Sequence, residues 1–182
     1  MCELTEIDGI RIYSTAMPAD IPRGERHRVE QDAVARLVVE AFGQGAVKVN
    51  DADGRPWVLM PDGSRRPVTV SHCAACAVIA VPTADNDSIG IDVETPRAQL
   101  PRVLPRILTQ AELATIAPGD IEAMLRAWTL KEALYKASGT PGTDYRRDIS
   151  ILPGRPTVAT VPHIILHSAP FSQAWLSLVK RV

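Results

Sequence analysis

Two acids lie one residue apart in Gly90-Ile91-Asp92-Val93-Glu94, between apolar neighbours. Side chains alternate faces along a strand. An extended segment here puts Asp92 and Glu94 on one face and sends Ile91 and Val93 into a core. Carboxylates held that close repel, and each disfavours the other's ionisation. A hard divalent cation such as Mg2+ removes the penalty, because it prefers oxygen ligands and leaves room for water and substrate phosphates. Taken alone, the pair also suits an exposed strand edge with two solvated acids.

A second segment is Trp128-Thr129-Leu130-Lys131-Glu132-Ala133-Leu134-Tyr135-Lys136. Helical spacing aligns Trp128, Glu132 and Lys136 at i, i+4 and i+8. Alone this also describes an ordinary salt-bridged helix, where a Glu132–Lys136 pair is worth about 0.2–0.5 kcal/mol. With Asp92 and Glu94, however, Glu132 completes a three-carboxylate cage, and Lys136 faces phosphates bound to its metal. Such a set suits phosphoryl-type transfer, where catalysis is mainly positioning and charge neutralisation.

The surrounding elements follow from periodicity. Val29, Ala33, Val34, Leu37, Val38 and Ala41 recur at steps of three and four, which predicts an amphipathic helix over 26–42 ending at Gly43. Residues 1–22 read as mixed, with Pro18 and Pro22 breaking any helix. The region 46–94 reads as short strands: AVKVN, PWVLM, PVTV, CAVIAV and SIGIDVE, separated by turn signals. Thr109-Gln110-Ala111-Glu112 fits a capping box. Asp120 fits the N-cap of a helix running to Gly139. DISIL, HIILHS and AWLSLV return to strands. Ser71-His72 and His167-Ser168 each precede an apolar strand, a faint internal echo. The expected fold class is α+β: two pseudo-symmetric halves, 1–89 and 90–182, each a helix with a small antiparallel sheet.

These pieces resemble the signature of the Sfp-type 4'-phosphopantetheinyl transferases. The resemblance rests on Gly90–Glu94, then Trp128–Lys136, preceded by Gly54-Arg55-Pro56 and by Ser71-His72 entering an apolar strand. Cys73 and Ala74 stand where that family has serine and glycine. The resemblance implies two pseudo-symmetric halves with coenzyme A between them and an Mg2+ ion, or Mn2+, on Asp92, Glu94 and Glu132. It also implies that Lys136 contacts the phosphates and assists the leaving group, with Lys131 nearby. Ser71 and His72 would contact a coenzyme A phosphate, and Arg55 with Pro56 would border the nucleotide. Arg26, Arg28 and Arg36 are candidates for its 3'-phosphate. Glu132, directly or through water, would take the proton from a serine of an apo acyl or peptidyl carrier protein. That carrier would serve fatty acid, polyketide or nonribosomal peptide assembly. The serine oxygen would attack the β-phosphorus and release adenosine 3',5'-bisphosphate.

Other features bound the reading. His72-Cys73-Ala74-Ala75-Cys76 lacks a second ligand cluster for zinc, so Cys73 and Cys76 read as small buried thiols. His163 and His167 read as structural, and His27 as phosphate-facing or solvated. Residues 95–111 carry Arg97, Arg102 and Arg106 and no acid, which suits either docking of an acidic carrier or a solvated proline-rich loop. A net charge of −1 over 182 residues gives no global field for nucleic acid or an anionic membrane. No apolar run approaches a membrane span, the N-terminus lacks a signal pattern, and three cysteines make no disulfide framework. A cytoplasmic monomer is expected. Two other functions fit some of the residues: a metal-dependent phosphohydrolase using water as nucleophile, and a non-catalytic binding module. The full set of three acids plus Lys136 exceeds what pure binding requires.

Overall fold

The computed structural model describes residues 2–22, 24–83, 88–154 and 156–182. The chain forms two compact units, Met1–Asp87 and Ser88–Val182.

The first unit opens with a hairpin of β1 (Cys2–Ile7) and β2 (Ile10–Ala16). Asp8 and Gly9 turn between them at φ 50° and 75°. Such a left-handed two-residue turn matches strand twist, and Asp-Gly is its sequence mark. The mixed composition of residues 1–22 concealed this hairpin. Helix α1 (Arg26–Phe42) has the predicted bounds, and Gly43 stops it at φ 91°. Three strands follow, β3 (Val47–Asn50), β4 (Pro56–Leu59) and β5 (Arg65–Pro67), paired antiparallel in that order. β6 (Thr69–His72) and β7 (Cys76–Pro82) join the first hairpin in an antiparallel sheet of order β1-β2-β7-β6. Ala33, Val34, Leu37 and Val38 of α1 pack with Tyr13, Ala77, Ile79 and Val81 of that sheet. Burying this apolar stripe stabilises both elements, at about 1.5–3 kcal/mol for each large side chain.

The second unit begins with β8 (Ile89–Glu94) and then three helices: α2 (Leu100–Ile107), α3 (Gln110–Leu113) and α4 (Ile121–Ser138). α2 occupies the stretch for which a loop was one expectation. Leu100, Leu104 and Leu108 are buried at a spacing of four, a stripe that outweighs the prolines. Pro101 sits in the first turn, where its missing N–H leaves no bond unmade. The predicted capping box on Thr109 and Glu112 is present in both directions. Asp120 accepts from Ala123 N at 2.9 Å, and Gly139 ends α4 at φ 58°.

Strands β9 (Ile149–Ser150), β10 (Thr157–Val158), β11 (Val161–Phe171) and β12 (Ala174–Arg181) complete an antiparallel sheet of order β8-β12-β11-β10-β9. β6–β7 and β11–β12, the two segments of the sequence echo, are both antiparallel hairpins. The architecture is thus α+β with small antiparallel sheets and few helices. No described helix is long and apolar enough to cross a membrane.

Candidate active site

The acids of β8 do not lie on a solvated edge. Gly90, Asp92 and Glu94 share the strand face that meets α4, while Ile91 and Val93 occupy the other. A Cβ on Gly90 would run into Ala133 O, and would lie 2.7 Å from Ala137 N and 2.9 Å from Ala133 C. Glycine is required here for close approach. Ala133 and Ala137, both fully buried, keep the helix side equally low. Ser88 Oγ donates to Ala137 O at 2.6 Å and pins the helix end. Asp92 is consequently only 5% exposed, which excludes the solvated-edge reading.

Below the acids, a buried hydroxyl chain joins α4 to the sheet. Thr129 Oγ1 donates to Leu125 O (2.9 Å) and lies 2.7 Å from Ser177 Oγ, which lies 2.9 Å from Ser168 Oγ. Trp175 Nε1 donates to Ser168 at 3.0 Å. With Trp175 at one end and the Leu125 carbonyl at the other, each hydroxyl donates once along the chain. Ser177 is the β12 partner of Asp92 in the strand register.

Each acid has its own partner. Lys136 Nζ donates to Asp92 Oδ1 at 2.8 Å and to Ile91 O at 3.0 Å. The lysine thus reaches across to β8 instead of forming its own bridge to Glu132 along the helix. Glu94 takes Arg97 at 3.1 Å and the Thr95 amide at 3.0 Å. Glu132 Oε2 accepts the Tyr145 hydroxyl at 3.1 Å. Burial pushes the Glu132 carboxyl up, and Asp92 adds to this, while Lys136 and Tyr145 pull it back and Glu94 raises it further. Burial likewise pushes Glu94 up against the opposing pull of Arg97 and the Thr95 amide, with Asp92 adding to the rise. The three carboxylates therefore lie in one another's field.

In this arrangement no three His, Cys, Asp or Glu side chains among the described residues stand close enough to hold a metal ion. The donor set nevertheless fits an oxygen-seeking divalent cation in type and charge. One buried and two half-buried acids carry like charge into one site, and a dication relieves their repulsion.

Lys131 is where the structure departs most from the sequence reading. It is fully buried, and its ammonium donates to Ile149 O (2.6 Å), Tyr145 O (2.7 Å) and Glu112 Oε1 (2.9 Å). An ammonium has three donors, and all three are spent inside the unit. Lys131 is thus a structural cation in this fold, not a phosphate ligand. Burial alone would raise its partner Glu112, but Lys131 and the Thr109 and Ile151 amides together hold that carboxyl below its ordinary value. The capping box was legible in the sequence. Its second role, neutralising Lys131, was not.

The basic segment divides. Arg97 lies over the Trp128 ring, 4.7 Å from its centroid, besides pairing with Glu94. Arg102 and Arg106 stand exposed one turn apart on α2. His163 is buried, with Nδ1 3.0 Å from Val161 O, and burial pushes its pKa down, which agrees with a structural role.

In the first unit, Gly54-Arg55-Pro56 forms a turn organised by Asp51. The Asp51 carboxylate accepts from the Asp53 and Arg55 amides (3.0 and 2.9 Å) and from Trp57 Nε1 (3.1 Å). Gly54 adopts φ 82°, which only glycine takes readily. Arg55 lies 5.6 Å from the Trp57 ring centroid, and Pro56 begins β4. On β6, Ser71 is buried and His72 exposed, with Nδ1 3.6 Å from Glu30 of α1. Arg26, Arg28 and Arg36 are exposed on α1, and Arg28 pairs with Glu25 at 2.8 Å. Arg36 also lines a groove of about 810 Å³ with Met17, Glu40 and Gln44. Cys73 and Cys76 close the β6–β7 turn with buried thiols 3.9 Å apart. Contact with Cys73 and burial push the Cys76 thiol up, which makes it a poor nucleophile.

Tyr145 was not legible as a site residue. It follows α4 in irregular backbone, where no periodicity links it to Glu132. Asp51 had a usable signal, since an aspartate before a glycine turn caps it through an Asx hydrogen bond.

The family model of the 4'-phosphopantetheinyl transferase superfamily matches residues 88–181, just over half the chain. No curated protein matches. The matched segment contains Asp92, Glu94, Glu132 and Lys136.

Proposed function

Because the chain belongs to the 4'-phosphopantetheinyl transferase superfamily, we propose that it is an Sfp-type member that moves the 4'-phosphopantetheine of coenzyme A onto a serine of an apo acyl or peptidyl carrier protein. One observation carries this reading. The family's own segment holds three acids in one another's field, with a lysine among them.

Asp92, Glu94 and Glu132 would hold Mg2+ or Mn2+. The metal, when bound, supplies charge neutralisation at the pyrophosphate. A serine hydroxyl is a weak nucleophile without an adjacent base. Glu132 accepts its proton, directly or through water, and the buried setting that raises this carboxyl makes it a better base. The serine oxygen bonds to the β-phosphorus of coenzyme A, the pyrophosphate P–O bond breaks, and adenosine 3',5'-bisphosphate leaves with the electron pair. Lys136 exchanges Asp92 for phosphate oxygens and balances the charge developing on the leaving group. Ser71, His72, Arg55, Pro56, Arg28 and Arg36 serve coenzyme A binding.

The test is incubation with coenzyme A, Mg2+ and a panel of apo carrier proteins. Intact mass reports a gain of one phosphopantetheine per carrier. Coenzyme A breakdown that needs no carrier would replace this reading with a phosphohydrolase. Glu132→Gln should slow transfer by about 10²–10⁴-fold, as loss of a general base does.

A further inference from the structure

We propose that Tyr145 is a positioning residue that holds the Glu132 carboxylate in its working orientation, and that the buried Lys131–Glu112 pair is what delivers Tyr145 to it. This rests on the reading of Glu132 as base and metal ligand. Tyr145 lies between α4 and β9, outside regular structure. Three contacts to α4 fix it. Lys131 Nζ holds its carbonyl at 2.7 Å, and Tyr135 stacks on its ring at 5.0 Å and 17°. The hydroxyl donates to Glu132 Oε2 at 3.1 Å.

Lys131 and Glu132 are consecutive, so their side chains leave the helix about 100° apart. One grips the tyrosine's backbone and the other receives its hydroxyl. Tyr145 is thereby held at both ends by neighbouring residues of one helix. Glu112 completes the clamp. It neutralises Lys131 at 2.9 Å and takes the Ile151 amide at 2.9 Å, anchoring the far side of the same segment. A glutamate side chain has three rotatable bonds, and a donor fixed on one oxygen removes most of that freedom. Partners of this kind matter for ligating groups, where their loss typically costs about 10–100-fold in metal affinity or activity.

The test is a double-mutant cycle between Tyr145→Phe and Glu132→Ala in the full chain. Mn2+ binding is read by electron paramagnetic resonance and transfer by intact mass. Phenylalanine keeps the stack on Tyr135 and removes only the hydroxyl. Tyr145→Phe should lower kcat and Mn2+ affinity by about 10-fold each while leaving the KM for coenzyme A unchanged. In the Glu132→Ala background, where no acceptor remains for the hydroxyl, it should change Mn2+ affinity no further. Lys131→Met should reproduce the loss of Mn2+ affinity. The proposal is overturned if Tyr145→Phe matches the parent in kcat and affinity, or if it weakens Mn2+ binding as much in the Glu132→Ala background as in the parent. A parent that transfers to no carrier would overturn the functional reading instead. The Mn2+ cycle then decides the Tyr145–Glu132 link alone, with coupling supporting it and additivity overturning it.

Discussion

Replacing Gly90 by alanine adds one methyl group where β8 and α4 come closest. That carbon would lie 2.7 Å from Ala137 N and 2.9 Å from Ala133 C, with Ala133 O nearer still. Ordinary contact begins at 3.4 Å, so clearing the Ala137 nitrogen alone takes about 0.7 Å of retreat. All three obstacles are backbone atoms, which no rotamer change can move aside. Overpacking typically costs about 1–3 kcal/mol, and backbone obstacles put Gly90→Ala near the top of that range. At about 2–4 °C per kcal/mol for a chain of this size, Tm should fall by roughly 6–12 °C. The retreat also separates Asp92 and Glu94 on β8 from Glu132 and Lys136 on α4. A misplacement of about 1 Å can cost 10²-fold in rate. Thermal unfolding gives the first quantity. Transfer measured well below the variant's Tm gives the second, free of unfolding. Gly24→Ala is the control, since nothing lies within 4 Å of its added carbon. If Gly90→Ala matched Gly24→Ala in both Tm and rate, the close approach and its role in aligning the acids would be refuted.

Three further outcomes follow from the same unit. Lys131→Met strands a buried carboxylate on Glu112 and should cost about 3–5 kcal/mol in urea unfolding; a loss below about 1 kcal/mol would show the pair to be dispensable. Glu112 is held below its ordinary pKa, so its contribution is fully present above the unfolded value of about 4.3 and fades as pH falls through the lower folded value. Stability followed from about pH 5 downward should therefore drop more steeply in the parent than in Glu112→Gln, and parallel curves would contradict the assignment. Arg102→Glu with Arg106→Glu should raise the KM for carrier protein about 10-fold through lost electrostatic steering, with the KM for coenzyme A unchanged. Arg97 is left intact in that variant because it already serves Glu94 and Trp128.

What the sequence revealed were the features governed by local rules. The bounds of α1, the capping box at Thr109, the Asp120 cap and the Gly139 stop depend on neighbours within one or two turns. The shared face of Asp92 and Glu94 depends only on strand alternation. The partnerships were illegible because they depend on what folds onto that face. Lys136 looks committed to Glu132 on a helical wheel, yet it bonds Asp92 across 44 positions of sequence. Lys131 looks like one more cation for phosphate, yet a glutamate that also caps α3 buries it. Neither could be told apart by residue type, since burial decides what a lysine does and burial is a tertiary property. The β1–β2 hairpin was missed for a different reason: its Asp8-Gly9 signal was present and the alternation around it is short.

Glu132 shows how the site and the fold pull in opposite directions. Its carboxyl is pushed up by burial and by Asp92, so the fold disfavours the ionised form that a base and ligand must adopt. A carboxyl raised in the folded state costs stability as pH rises through that value, because the unfolded chain ionises freely. At neutral pH the metal-free protein carries this cost, only partly offset by Lys136 and Tyr145. Glutamine keeps the shape and the acceptor oxygen for Tyr145 while removing the charge. Glu132→Gln should therefore be more stable than the parent without metal, by about 2–4 °C in Tm for each kcal/mol relieved, although it transfers poorly. Adding Mg2+ should narrow or reverse the difference, since the ion stabilises the form with the full set of acids. Thermal unfolding of both proteins with chelator and with Mg2+ measures this directly. A Glu132→Gln variant less stable than the parent under chelator would show that the Glu132 charge is well satisfied by the protein, and that its burial is not strain held for the metal.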